Sequence, residues 1–289
     1  MCRPADRREE ASPMASVEPR MASGSDASVE PPMGSGSDAL ADPCGTACLD
    51  GAADSYVALD LETTGLSFKK EKIIEIGALK VQGGKVTDRF HSLVDPRRAL
   101  SQEIVRLTGL TDGQLAGQPG IEAVIGELVD FCEELPLLGY RIQFDYSFLK
   151  KAAVDQKIVW ERDGIDTLFL CRVFMPKEEK KNLGDACGFF QIETGGSHRA
   201  LADAEAAHRL YQVLKARYGG AEPGRFTAKK LICKVKREQP ATKRQKQRLQ
   251  ELLKCHRIET SVQIDYLTRN EASRLTDVIL AQRGRGEEP

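Results

Sequence analysis

A chain of 289 residues is long enough for one sizeable core and a small second module. Its apolar fraction of 41% and charged fraction of 29% fit a soluble, cytoplasmic protein with some poorly packed sequence, and no run approaches the ~18 apolar residues of a membrane span. The net charge of −1 hides an uneven distribution, and the eight scattered cysteines read as reduced thiols, Cys44 and Cys48 being too isolated to make a zinc site.

Residues 1–54 are rich in Ser, Gly, Pro, Ala and Asp and poor in large apolar side chains, which predicts a disordered segment. It holds a tandem repeat, Ser16 to Ala27 followed at once by Ser28 to Ala39, which reads as a duplication of unstructured sequence. The segment lacks an apolar h-region, and its acidic residues argue against a transit peptide. A folded domain is expected over 55–218. Tyr56-Val57-Ala58-Leu59 predicts a buried strand, and 72–81 and 85–94 predict a hairpin turning at Gly83-Gly84. Helices are expected near 101–107 and 121–134, then a short strand at Leu137 to Tyr140. Phe144, Phe148, Leu149 and Ala152 have helical spacing, 165–174 fits either a strand or a helix, and a last helix is expected from about Arg199 to Arg217. This order predicts an α/β fold, a mixed sheet flanked by helices. A basic linker is expected at 219–240, and from Arg225 to Arg248 Glu238 is the sole carboxylate among ten lysines and arginines. That stretch reads either as a footprint for a nucleic-acid backbone or as a solvated linker. Two capping boxes, Thr242 to Gln245 and Thr268 to Glu271, predict a small helical hairpin over 241–282 that leans on the main domain, and 283–289 is expected to be a flexible tail.

Asp60 and Glu62 lie two apart on a predicted strand, so both carboxylates share one face, their backbones roughly 6.6 Å apart. Such neighbours raise each other's pKa, and Mg²⁺ or Mn²⁺ removes that cost. Thr63-Thr64-Gly65 ends the strand in a tight loop whose amides and hydroxyls can hold a phosphate or sugar. His198 and Asp203 are five apart, about 140° around a helix, so they converge only if the helix starts after His198. Asp145 falls near a helix N-terminus, where a carboxylate serves as a cap or as a ligand. Asp166 reads as structural and His208 as an ordinary histidine.

In this order the segments Val57 to Gly65, Phe144-Asp145 and His198 to Asp203 resemble the DnaQ-like 3′→5′ exonucleases of the DEDDh type, in the branch that includes the DNA polymerase III epsilon proofreading subunit. The resemblance spans about 55–217 and implies a ribonuclease H-like fold. It implies two Mg²⁺ or Mn²⁺ ions held by Asp60, Glu62, Asp145 and Asp203, with His198 taking a proton from the attacking water. The implied substrate is a single-stranded or frayed 3′ end, DNA more than RNA, and a DNA polymerase is the implied partner. Tyr140-Arg141 stands where the family usually has His-Asn, which puts local loop packing or substrate contact in doubt. An RNA-trimming enzyme and a non-catalytic binding subunit are the alternative readings.

Overall fold

The structure is a computed structural model that describes residues 53–195 and 198–283. The repeat, Cys44 and Cys48, nearly all of the segment expected to be disordered, and residues 284–289 lie outside the described residues.

Six strands form one mixed sheet: β1 (Tyr56–Thr63), β2 (Ile73–Gln82), β3 (Lys85–Leu93), β4 (Leu137–Gly139), β5 (Asp163–Asp166) and β6 (Lys229–Lys230), in the spatial order β3-β2-β1-β4-β5-β6. β1, β2 and β3 are antiparallel, and β4 and β5 continue parallel to β1. The β2–β3 register pairs Gln82 with Lys85, leaving Gly83-Gly84 as a two-residue turn with both φ positive. That is what a type I′ connection requires.

The helices are α1 (Gln102–Thr108), α2 (Asp112–Leu115), α3 (Ile121–Cys132), α4 (Ile142–Asp155), α5 (Thr167–Phe174), α6 (Leu183–Phe189), α7 (Ala200–Tyr218), α8 (Lys243–Cys255) and α9 (Arg269–Arg283). Alternation along β1 divides the core. Val57, Leu59 and Leu61 join the cluster built with α3 and α4, while Tyr56 and Ala58 join the one built with α5, α6 and α7. Asp60 and Glu62 have the parity of Tyr56 and Ala58, so they face α7.

The stretch 165–174 splits at Asp166, whose Oδ1 accepts from the amides of Leu168 and Phe169 and so caps α5. His208 is buried and its Nδ1 lies 2.9 Å from the Tyr56 hydroxyl. Both expected capping boxes form, at Thr242 with Gln245 and at Thr268 with Glu271. α8 and α9 pack through Leu249, Ala272 and Ile279, and Ala241 donates its amide to Leu267 O. No helix among the described residues is long and apolar enough to cross a membrane.

Candidate active site

The site lies where β1 ends and α7 begins. Gly77 on β2 pairs with Asp60 and lets α7 approach, since a Cβ there would collide with the backbone of Ala200 and Leu201. The helix starts at Ala200, leaving His198 on the preceding loop with φ 64°. The His198 amide donates to Asp203 Oδ2 at 2.9 Å, which closes the loop onto the first turn. Ligand atoms of Glu62, His198 and Asp203 lie within 4.8 Å of one another. Asp60, Glu62, His198 and Asp203 line one cavity of about 550 Å³, together with Tyr140, Asn182 and Gly184.

Asp145 does not line that cavity. It is 3% exposed, on the first turn of α4, which packs on the opposite face of the sheet. Burial and the neighbouring carboxylates Glu62 and Asp166 raise its pKa well above the ordinary carboxylate range, against hydrogen bonds from its own amide and that of Leu61. Asp60 is raised in the same sense by burial and by the charges of Asp145, Asp203, Glu62 and Glu75. Glu62, 8% exposed, is pushed up to about 7 by burial and by Asp203 and Glu75. Asp203 rises through burial, opposed by the His198 amide. This crowd of hard oxygen donors fits a divalent cation, which would offset the repulsion that raises their pKa values.

Thr63, Thr64 and Gly65 sit outside the cavity lining, and both hydroxyls are engaged internally. Thr63 Oγ1 donates to Gly65 O at 2.8 Å, and Thr64 Oγ1 donates to Glu71 Oε2 at 2.8 Å while accepting from the Lys72 amide and from Arg98. The loop is thereby stapled, and its hydroxyls are committed before any ligand arrives.

Glu75 and Asn182 shape the site without having been singled out from the sequence, and Tyr140, noted there beside Arg141, joins them. Glu75, fully buried opposite Glu62, accepts from Arg199 Nη2 at 2.8 Å, from the Ala200 amide at 3.3 Å and lies 2.7 Å from His91 Nε2. Burial alone would raise its pKa, but the hydrogen bonds of Arg199, His91 and Ala200 hold it below the ordinary value. The signal in the sequence is a carboxylate inside the apolar run Ile73-Ile74-Glu75-Ile76. Tyr140 donates its hydroxyl to Lys181 O at 2.7 Å, so its ring tethers the segment before α6. Asn182 on the cavity wall caps α6 by accepting from the Asp185 amide at 2.8 Å. Where the resemblance leads one to expect His-Asn, Arg141 takes a left-handed conformation, φ 70° and ψ 41°, and donates its amide to Asp166 Oδ1 at 3.0 Å. The turn into α4, and with it the position of Asp145, is therefore built without the usual pair.

Residues 57–211 match the RNase_T family, described as Exonuclease. A DNA polymerase III PolC-type protein of Halalkalibacterium halodurans is 39% identical over 162 residues, 55% of this chain and 11% of that protein. The chain thus spans about a tenth of the length of the PolC-type relatives it matches. The DNA polymerase III subunit epsilon of Aquifex aeolicus is 34% identical over 164 residues, 56% of this chain and 80% of that subunit. The crystal structure of E. coli Exonuclease I in complex with a dT13 oligonucleotide has the same fold, with a TM-score of 0.51 at 17% identity, covering 57% of this chain and 42% of that one. With its mixed six-stranded sheet flanked by helices and a family match over more than half its length, this chain belongs to the exonuclease family RNase_T, of DnaQ-like type.

Proposed function

We propose that the protein is a metal-dependent 3′→5′ exonuclease that releases nucleoside monophosphates from single-stranded or frayed DNA ends. The observation that carries this is the convergence of Asp60, Glu62, Asp203 and His198 on one cavity, with Asp145 buried behind Asp60. Asp60, Glu62, Asp145 and Asp203 are the residues that would hold two Mg²⁺ or Mn²⁺ ions. When bound, such ions supply Lewis-acid polarisation of the phosphodiester and a water of lowered pKa. His198 sits on a loop at the cavity rather than in the core, where its imidazole can take the proton of the attacking water. Thr63, Thr64 and Gly65 shape the loop beside the terminal nucleotide through their backbone, since the hydroxyls are committed elsewhere. Relatives called DNA polymerase III PolC-type and subunit epsilon favour DNA as substrate and a role beside a polymerase, in proofreading or repair.

The test is a purified-protein assay with DNA and RNA labelled at either end, in Mg²⁺, Mn²⁺ or chelator. Mononucleotides should appear from the 3′ end of DNA, faster than from RNA, only with metal. Asp60→Ala should lose activity by at least ~10³-fold, and His198→Ala by about 10²–10⁴-fold with Mn²⁺ binding retained. Wild-type rates in Asp60→Ala, or activity that persists in chelator, would sink the reading. RNA cleaved faster than DNA would move the protein to the trimming class.

A further inference from the structure

Beyond β6 the chain does not wander. Leu231 is buried in the cluster shared with α4, Cys233 packs against it and Val235 is half-buried, whereas Lys230, Ile232, Lys234 and Lys236 are exposed. Both ends of this segment are fastened to α4. Gln143, in its first turn, donates from Nε2 to Ile232 O at 3.1 Å and accepts from the Ile232 amide at 3.4 Å. Asp155, at its last residue, accepts from the Glu238 amide at 2.8 Å and, through its carbonyl, from Arg237 Nε at 3.3 Å. From Gln143 to Asp155 the helix rises about 18 Å at ~1.5 Å per residue. The chain from Ile232 to Glu238 covers that distance only when nearly fully extended, at ~3.3 Å per residue. It is a straight strap, and alternate side chains stand outward about 6.6 Å apart.

The outward ridge is therefore Lys230, Ile232, Lys234 and Lys236. Lysines of α4 beneath it are neutralised: Lys150 pairs with Glu161 at 2.6 Å and Lys151 with Asp155 at 2.7 Å. Among the described residues, none of the three ridge lysines forms an ion pair with a carboxylate. Ile232 stands among them 68% exposed. The strap also starts at the first turn of α4, the turn that carries Asp145. Gln143 is two residues from Asp145, and exposed Arg141 follows Tyr140 of the cavity wall.

We propose that this ridge holds the phosphodiester backbone of the single strand upstream of the 3′ end, an inference that rests on the exonuclease reading of the cavity. The acidic cavity repels phosphates that metal does not neutralise, so a strand leaving it needs cations close by. Three unpaired lysines in line along about 20 Å match some six phosphates at the ~3.4 Å spacing of one strand in a duplex, and fewer in a stretched strand. Ile232 gives an unstacked base an apolar contact. Nothing in the ridge reads base edges, so the grip is indifferent to sequence and reads charge.

The experiment compares the full chain with the triple variant Lys230→Gln/Lys234→Gln/Lys236→Gln, using 5′-fluorescent dT3, dT15 and rU15 in Ca²⁺ to slow turnover. Binding of dT15 should weaken by about tenfold or more, and the slope of log K against log salt should become shallower by about 2, at ~0.7 per single-strand contact. rU15 should lose affinity in proportion, whereas dT3, too short to reach the ridge from the cavity, should bind the two proteins alike. The triple Lys→Arg variant should restore dT15 binding, which separates lost charge from a damaged fold. An unchanged salt slope for dT15, or an equal loss for dT3, would overturn the ridge. Hydrolysis of the p-nitrophenyl ester of thymidine 5′-monophosphate reports the cavity separately. If wild-type protein in Mn²⁺ fails to cleave it while the salt slopes differ as expected, the exonuclease reading falls and the nucleic-acid ridge stands.

Discussion

Glu62 sits 8% exposed against Asp203 and Glu75, and its carboxyl is pushed up to about 7. A carboxylate whose folded pKa exceeds its unfolded value of about 4.3 binds more protons in the native state than in the unfolded one. Stability of the metal-free protein should therefore fall as pH rises from about 4.3 through 7, on the order of a few kcal/mol. Asp60 and Asp145 act in the same direction. Glu75 has the opposite sign, for its lowered pKa contributes stability that is already complete above about pH 5 and is lost only on acidification. His208, its pKa lowered by burial, opposes the trend below about pH 6.5 but has no link to metal. Urea midpoints of metal-free protein should be higher at pH 5 than at pH 8, with Mg²⁺ or Mn²⁺ restoring the midpoint at pH 8. Glu62→Gln should flatten the profile, and a midpoint indifferent to both pH and metal would refute this account. The residues proposed for chemistry were legible because each motif is local: a two-residue strand period, a helix start, a loop histidine. Glu75 was not, because its role depends on the register that sets it opposite Glu62 and on Arg199, 124 residues away.

At the scale of elements, the site depends on how closely α7 lies on β2. A methyl group at Gly77 meets backbone atoms of Ala200 and Leu201, which no rotamer change can relieve. Gly77→Ala should cost about 1–3 kcal/mol in urea unfolding and lower kcat beyond what the unfolded fraction explains, because α7 carries Asp203 and follows His198. Gly188→Ala in α6 is the control, since a Cβ there meets open space, and it should leave both quantities nearly unchanged. Equal behaviour of the two variants would mean that α7 is not held by this contact. Elements with strong periodicity or turn residues were readable within about a residue or two, as in the β2–β3 hairpin and α3. The ambiguous stretch at 165–174 could not be divided from its apolar pattern, because the division is made by the Asp166 cap. α2 and α6, of 4 and 7 residues, and β6, of 2, were missed. β6 exists only through its pairing with β5, for which two lysines give no local signal.

At the scale of the molecule, the C-terminal helices return to the loops that follow β1 and β3. Lys72 pairs with Glu271 at 2.6 Å, the Arg97 guanidinium lies 3.4 Å from the centre of the Tyr266 ring, and Gln263 donates its amide to Arg97 O at 3.1 Å. Glu271 has two duties, since it also accepts from the Thr268 amide at 2.9 Å to cap α9. Glu271→Gln keeps the cap and gives up the ion pair, so it should cost about 1 kcal/mol or less. Glu271→Ala loses both and should cost about 1–2 kcal/mol more, read from urea midpoints. Equal costs for the two would show that the cap contributes nothing. The capping boxes, and the expectation that the hairpin leans on the main domain, were legible in the sequence, but the docking partners were not, because they lie some 170–200 residues apart and share no local pattern. The strap behaves the same way: its charge was plain in the sequence, its course along α4 was not. That course has a consequence for biosynthesis. A ribosome delivers Asp60, Asp145 and Asp203 well before Lys229, so the outer edge of β5 stays unpaired for several seconds at ~5–20 residues per second. Leu231 then closes over Gly164 and the edge together. β6, which leads into the strap, is thus the last piece of the sheet to be made, and until it docks the nascent chain exposes a strand edge that a neighbouring nascent copy can pair with.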